Sequence, residues 1–247
     1  MVRASALGHR VCADGLPMTK KVAILQSNYV PWKGYFDLIR AVDEFIVYDE
    51  VQYTKNDWRN RNRIKTQAGA QWLTIPVRLE RLEQKISETR VADSRWVARH
   101  WKAISNSYAR ARYFAQYAPM IEAWYREAGA FELLSDINVL FIHAVCSMLG
   151  ITTKITSSRD YVLEGNRVER LVSICRQAGA DVYLSGPAAR DYLDEACFAE
   201  AGMRVEWMCY DGYPEYLQLF PPFEHGVSIL DLLLNVGPEH AAFMKAR

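Results

Sequence analysis

The chain has 247 residues, half of them hydrophobic, and a formal net charge of +1. That length and apolar content suffice to bury a full core, which excludes general disorder, and the balanced charge excludes a global pull toward nucleic acid or anionic membrane. Five scattered cysteines (Cys12, Cys146, Cys175, Cys197 and Cys209) with no C-x-x-C pair, and no ligand spacing among the histidines, give no metal motif and point to a reducing, cytoplasmic setting.

Residues 1–20 lack the continuous apolar centre of a secretory signal and read as a disordered N-terminal extension. An apolar strand follows Met18 almost at once, so translation is expected to start there, and deleting residues 1–17 is expected to leave folding and activity unchanged. Residues 21–247 read as a single α/β domain.

A buried strand is predicted over residues 22–26, a helix over 34–42 and a second strand over 45–48, together one β-α-β unit. Residues 49–65 are polar and basic and read as a loop, and residues 72–77 as a strand closed by Pro76. A helical subregion spans about 93–150, punctuated by Pro119 and Gly129; within it the apolar stretch 131–151 is too polar for a membrane span and reads as a buried helix. Alternation then resumes with strands at 154–156, 181–184 and 203–208, and with helices at 166–178, from Gly186-Pro187 onward, and at 228–235. Ser228 and Asp231 form a capping-box-like pair at the start of the last helix, which Gly237-Pro238 ends. The fold class that follows is α/β, a mainly parallel Rossmann-like sheet flanked by helices, whose ligands belong beyond the carboxyl ends of the strands.

Two segments at such ends concentrate chemistry. Gln26, Ser27, Asn28, Tyr29 and Lys33 lie where a strand hands over to a helix amino terminus, a place suited to phosphate or carboxylate; the bland reading is a capped surface turn. Between Asp49 and Arg63, the residues Gln52, Tyr53, Lys55, Trp58, Arg59, Asn60, Arg61 and Asn62 interleave cations, amides and rings, as phosphate and base or sugar recognition requires; the bland reading is a solvated basic loop. Ser185-Gly186-Pro187 is either an anion-holding turn or only a tight connection. Asp49 and Asp57 are the acid/base candidates and His225, beside Glu224, a weaker one, whereas His143 on an apolar helix face reads as structural. Tyr213-Pro214-Glu215-Tyr216 and Gln218 read as packing for the terminal region. Walker A, G-x-G-x-x-G, G-x-S-x-G and H-E-x-x-H patterns are absent.

The layout around Pro31-Trp32-Lys33-Gly34-Tyr35 looks like the start of nucleotidylyltransferase folds, with Trp32 and Tyr35 where the two histidines of H-x-G-H would stand; neither supplies an imidazole. The blocks 26–35, 36–39, 43–63, 71–77, 183–186, 213–218 and 228–235 resemble the WbqC-like family of bacterial surface-polysaccharide clusters. The resemblance implies an enzyme of O-antigen or related glycan biosynthesis, a transferase placing an acyl or aminoacyl group, such as glycyl, on a nucleotide-linked amino sugar. A phosphate-bearing small molecule is thus the expected partner, with neither nucleic acid nor membrane. The alternatives are an adenylate-forming or nucleotidyl-transferring enzyme with a degenerate motif, and a non-enzymatic single-stranded nucleic-acid binder.

Overall fold

The structure, a computed structural model, describes residues 19–245, so the expectations for residues 1–18, including a start at Met18, lie outside the described residues. Five strands form the central sheet: β1 (Lys21–Leu25), β2 (Glu44–Val47), β7 (Lys154–Ser157), β8 (Val182–Ser185) and β9 (Arg204–Trp207). All pair in parallel, in the order β7-β2-β1-β8-β9. Numbered by appearance this is 3-2-1-4-5, the doubly wound Rossmann-like order, in which the winding reverses between β1 and β8, where such sheets bind ligands at the carboxyl ends of the strands.

Both faces of the sheet are covered, which is why its central strands read as apolar runs. Ala23, Phe45 and Val47 join a core with α1 (Lys33–Arg40), α4 (Leu134–Met148) and α7 (Ile229–Val236). Val22, Ile24, Ile46 and Tyr183 face the opposite core, with α5 (Arg167–Gln177) and α6 (Glu195–Glu200). The one carboxylate in β2, Glu44, is 1% exposed and is held by Lys20, Lys154, Thr156 and Tyr161. Burial opposes its charge, but these partners outweigh burial and bring its pKa down to about 2. Beside the sheet, α2 (Arg95–Tyr108), α3 (Phe114–Ala128) and α4 form the helical subregion, with Trp96, Ile104, Tyr125 and Phe141 buried between them.

Several expectations are corrected. The segment read as a loop up to residue 65 ends in a strand, β3 (Arg61–Thr66), paired antiparallel with β4 (Gly69–Thr74); the strand expected at 72–77 is divided between β4 and a short β5 (Val77–Arg78), which pairs with β6 (Arg90–Val91). Gly186-Pro187 opens a single helical turn only, and α6 starts later, capped by the Asp194 side chain. Pro119 lies inside α3 on its exposed side, where one missing backbone bond is tolerated. Ser228 does cap α7, through a bond from Leu230 N–H, but Asp231 is fully buried and turns into the core. His143 is exposed. Among the described residues, no helix is long and apolar enough to cross a membrane.

Candidate functional site

The loop after β1 and the loop after β2 are locked together at the carboxyl edge of the sheet. Asp49, 4% exposed, accepts hydrogen bonds from Ser27 N–H (2.8 Å) and Ser27 Oγ (2.7 Å), and another from Ser135 Oγ on α4. Asn138, one turn along α4, donates to Ser27 Oγ (3.0 Å) and to the Arg59 carbonyl (2.9 Å), while its own buried Oδ1 has no partner among the described residues. Burial pushes the Asp49 pKa up against the pull of the serine donors. Enclosed in this way, Asp49 fastens the loop after β1 to α4. Ser135 and Asn138 were not foreseen; their signal was a polar side chain inside an otherwise apolar helix.

The basic segment docks on the same loop. Arg59 sends one arm of its guanidinium to Asn28 Oδ1 and the other to Gln26 Oε1 (3.2 Å), with Asp57 3.6 Å away. Tyr29 N–H donates to the Trp58 carbonyl at 2.9 Å, and Asn62 Nδ2 donates to the carbonyls of Tyr29 and Val30 at 3.0 and 2.8 Å. The Asn62 bonds hold Val30 at φ +36°, a left-handed conformation costly for a β-branched residue. No side chain caps the amino terminus of α1, which follows this loop, and the residue at the cap position, Trp32, folds its ring over Gly34, where a Cβ would come within 2.4 Å of it. Tyr35 donates to the Gln26 carbonyl (3.0 Å), so both positions matching the H-x-G-H histidines are occupied by rings engaged in the loop.

Beside Arg59, Trp58 turns toward Trp72 on β4, their rings 5.3 Å apart and 41% and 42% exposed. Trp72 is directly opposite Arg63 in the hairpin register, and the Arg61 guanidinium lies 4.1 Å above its ring. Two exposed indoles flanked by guanidinium groups offer stacking faces beside positive charge, the combination that suits a negatively charged sugar or base. Trp72 was not among the expected site residues, because it reads as part of a strand and the candidates were sought in loops at strand ends.

The other expected residues lie apart from the Arg59 fork and the indole pair, some buried and some exposed. Tyr29 is buried, its hydroxyl between His100 Nδ1 (2.8 Å) and the Tyr125 hydroxyl (2.7 Å). Asn60 is buried and donates to the Ile75 carbonyl, and Tyr53 is buried as well. Gln52 is exposed and bonds Leu82, and Lys55 is exposed. Ser185 is buried near the Tyr183 hydroxyl, whereas Gly186, at the switch point, lies under the Tyr210 hydroxyl. His225 is exposed against Phe223, in a segment tied to Arg63 of β3, and is not brought to Asp49 or Asp57.

Lys33 runs away from the helix amino terminus into a second polar cluster. Its Nζ reaches the Pro214 carbonyl (3.2 Å) and lies 4.7 and 5.3 Å from the ring centres of Tyr213 and Tyr216. Burial lowers its pKa to about 8, against the raising effect of Asp37 and Asp231. Asp37 accepts from the Tyr213 hydroxyl (2.6 Å); Asp231 accepts from Tyr108 (2.8 Å), Tyr216 (2.7 Å) and Gln218 (2.9 Å). Burial raises the pKa of both carboxylates. A carboxylate in a helix as apolar as Ile229–Val236 had to be buried, and so had to find donors; that was the unused signal for this cluster.

Among the described residues, no group of three or more His, Cys, Asp or Glu side chains could hold a metal ion. Two cavities lie away from the sheet edge, both beside α2: one of about 370 Å³ between Arg78, Arg90, Trp96 and Phe131, the other of about 530 Å³ between α2 and the turn of the β3–β4 hairpin.

The model of the WbqC-like protein family matches residues 26–243. The uncharacterized protein Rv1507c of Mycobacterium tuberculosis (strain ATCC 25618 / H37Rv) is 51% identical over 227 residues, covering 92% of this chain and 98% of that protein. No solved structure matches the chain.

Proposed function

This chain belongs to the WbqC-like protein family, and from that premise we propose that it is a transferase of bacterial surface-glycan assembly, moving an acyl or aminoacyl group onto the amine of a nucleotide-linked amino sugar. The observation that carries this reading is the docking of Arg59 onto Gln26 and Asn28 at the ligand-binding end of a doubly wound sheet, beside an uncapped helix amino terminus. Arg59 and the first N–H groups of α1 hold phosphate, and the Trp58–Trp72 platform stacks the sugar or base. In the chemical step the amine nitrogen attacks the acyl carbonyl and the new C–N bond forms. The leaving group departs with its electron pair, and the nitrogen's proton passes to Asp57, the carboxylate here that keeps exposed surface (30%). Backbone N–H groups of the β1–α1 loop stabilise the oxyanion.

The reading is tested by differential scanning of the full chain with nucleoside-diphosphate sugars, amino acids and acyl donors. A rise in Tm with a nucleotide amino sugar that shrinks in Arg59→Ala is expected. Absence of stabilisation by every phosphate-bearing ligand would overturn it.

A further inference from the structure

The groove of about 530 Å³ beside α2 lies on the other face of the hairpin from the tryptophan platform: Gln71 lines it, while its neighbour Trp72 points to the opposite side, as strand alternation requires. Its charged lining residues are Arg99, Lys102 and Arg110, with no carboxylate among them. That is a local departure from a chain whose net charge is only +1. It has a sequence origin: from residue 94 to 121 there are five cations and no Asp or Glu.

Arg99 and Lys102, one turn apart on α2, are exposed and make no ion pair among the described residues, whereas Arg95 on the same helix is neutralised by Asp93 at 2.8 Å. Gln67, Gln71 and Asn106 add amide donors and acceptors to the lining. The Arg110 guanidinium lies 5.9 Å from the ring centre of Phe220, which closes one side. Unpaired cations, amides and an aromatic edge in a space of this size match the needs of a nucleotide: cations for the phosphates, amides for the base edges and a ring to stack on.

We propose that this groove is a second anion site, separate from the Arg59 site, and that it takes a nucleoside diphosphate. Lys102 and Arg99 hold the diphosphate, and Phe220 with Arg110 flanks the base. This goes beyond the transferase reading and does not depend on it.

The test is calorimetric titration of the full chain carrying Arg59→Ala, which removes the first site, with ADP, UDP and pyrophosphate at low salt. Binding of a nucleoside diphosphate is expected to survive Arg59→Ala. It should weaken about tenfold or more when Arg99→Glu or Lys102→Glu is added, because a like charge then faces the phosphates. Phe220→Ala should weaken the nucleotide but not pyrophosphate. Both charge reversals sit on exposed positions, and thermal unfolding checks that the variants fold. No binding in the Arg59→Ala protein, binding indifferent to both reversals, or pyrophosphate binding as tightly as the nucleotides would each overturn the proposal. Nucleotide-sugar binding that Arg59→Ala leaves unchanged would strike the transferase reading instead.

Discussion

Replacing Asp49 separates a positioning role from an acid/base role. In Asp49→Ala the Ser27 N–H and the Ser27 and Ser135 hydroxyls lose their acceptor in a site where Asp49 itself is 4% exposed. Each stranded donor costs roughly 1–3 kcal/mol, partly offset because a carboxylate no longer has to be kept out of water, so a net loss of about 3–5 kcal/mol is expected. Asp49→Asn keeps one acceptor oxygen for Ser27 N–H, and its amide can donate to a serine oxygen; its loss should be about 1–2 kcal/mol. Urea unfolding at neutral pH measures both. Ligand stabilisation should follow the same order, because the loop that Asp49 anchors carries Gln26 and Asn28, the oxygens that orient Arg59. The reasoning is refuted if Asp49→Ala unfolds like the wild type, or if Asp49→Asn retains full stability while the proposed transferase activity is abolished, which is the signature of proton transfer.

Glu44, with its folded pKa down at about 2 and its ordinary value at 4.5, supplies stability that is present above pH 4.5 and lost as pH falls through 2. The wild type should lead Glu44→Gln by about 3 kcal/mol at pH 7 and by clearly less at pH 3; a gap independent of pH removes this account. His100 is buried as a neutral ring with a pKa lowered to about 4, so below pH 6.5 the unfolded chain takes up the proton first, and stability falls by about 1.4 kcal/mol per pH unit down to 4. His100→Gln should flatten that slope in denaturant titrations between pH 4 and 6.5. Trp72→Ala removes a 42%-exposed ring and should change stability by no more than about 1 kcal/mol, yet weaken a stacked sugar or base by about tenfold; equal ligand affinity in a titration would dismiss the platform.

The parallel sheet was legible because its central strands are buried on both faces and leave unbroken apolar runs, as at Val22, Ala23 and Ile24. Strand β3 was not. Its sequence, RNRIKT, alternates long cations with Asn62, Ile64 and Thr66, and long cations on a strand face look the same in sequence as a solvated loop. The candidate loops were visible from their position at strand ends, but the division of labour within them was not. Nothing in the spacing says that Asn62 turns back to hold Val30 while Arg59 reaches Asn28. That distinction depends on which side of the backbone meets α4, a contact between segments far apart in the chain.

Helix α1 connects the two polar clusters. Its amino terminus faces the Arg59 loop, while Lys33 and Asp37, four residues apart on one side of the helix, are fixed by the segment 213–216 through the Pro214 carbonyl and the Tyr213 hydroxyl. That segment is in turn fixed to α7 by Tyr216 on Asp231, and Asp231 is bound to Tyr108, whose hydroxyl receives Lys65 N–H of β3. The path therefore starts at the uncapped amino-terminal end of α1 and returns to the hairpin that carries Arg61 and Trp72. Buried carboxylates are costly unless every oxygen is engaged, so a fold that retains Asp231 with three donors has its terminal segment held in one arrangement. The same cluster therefore ties α1 to the hairpin, and with them the Arg59 fork to the Trp58–Trp72 pair.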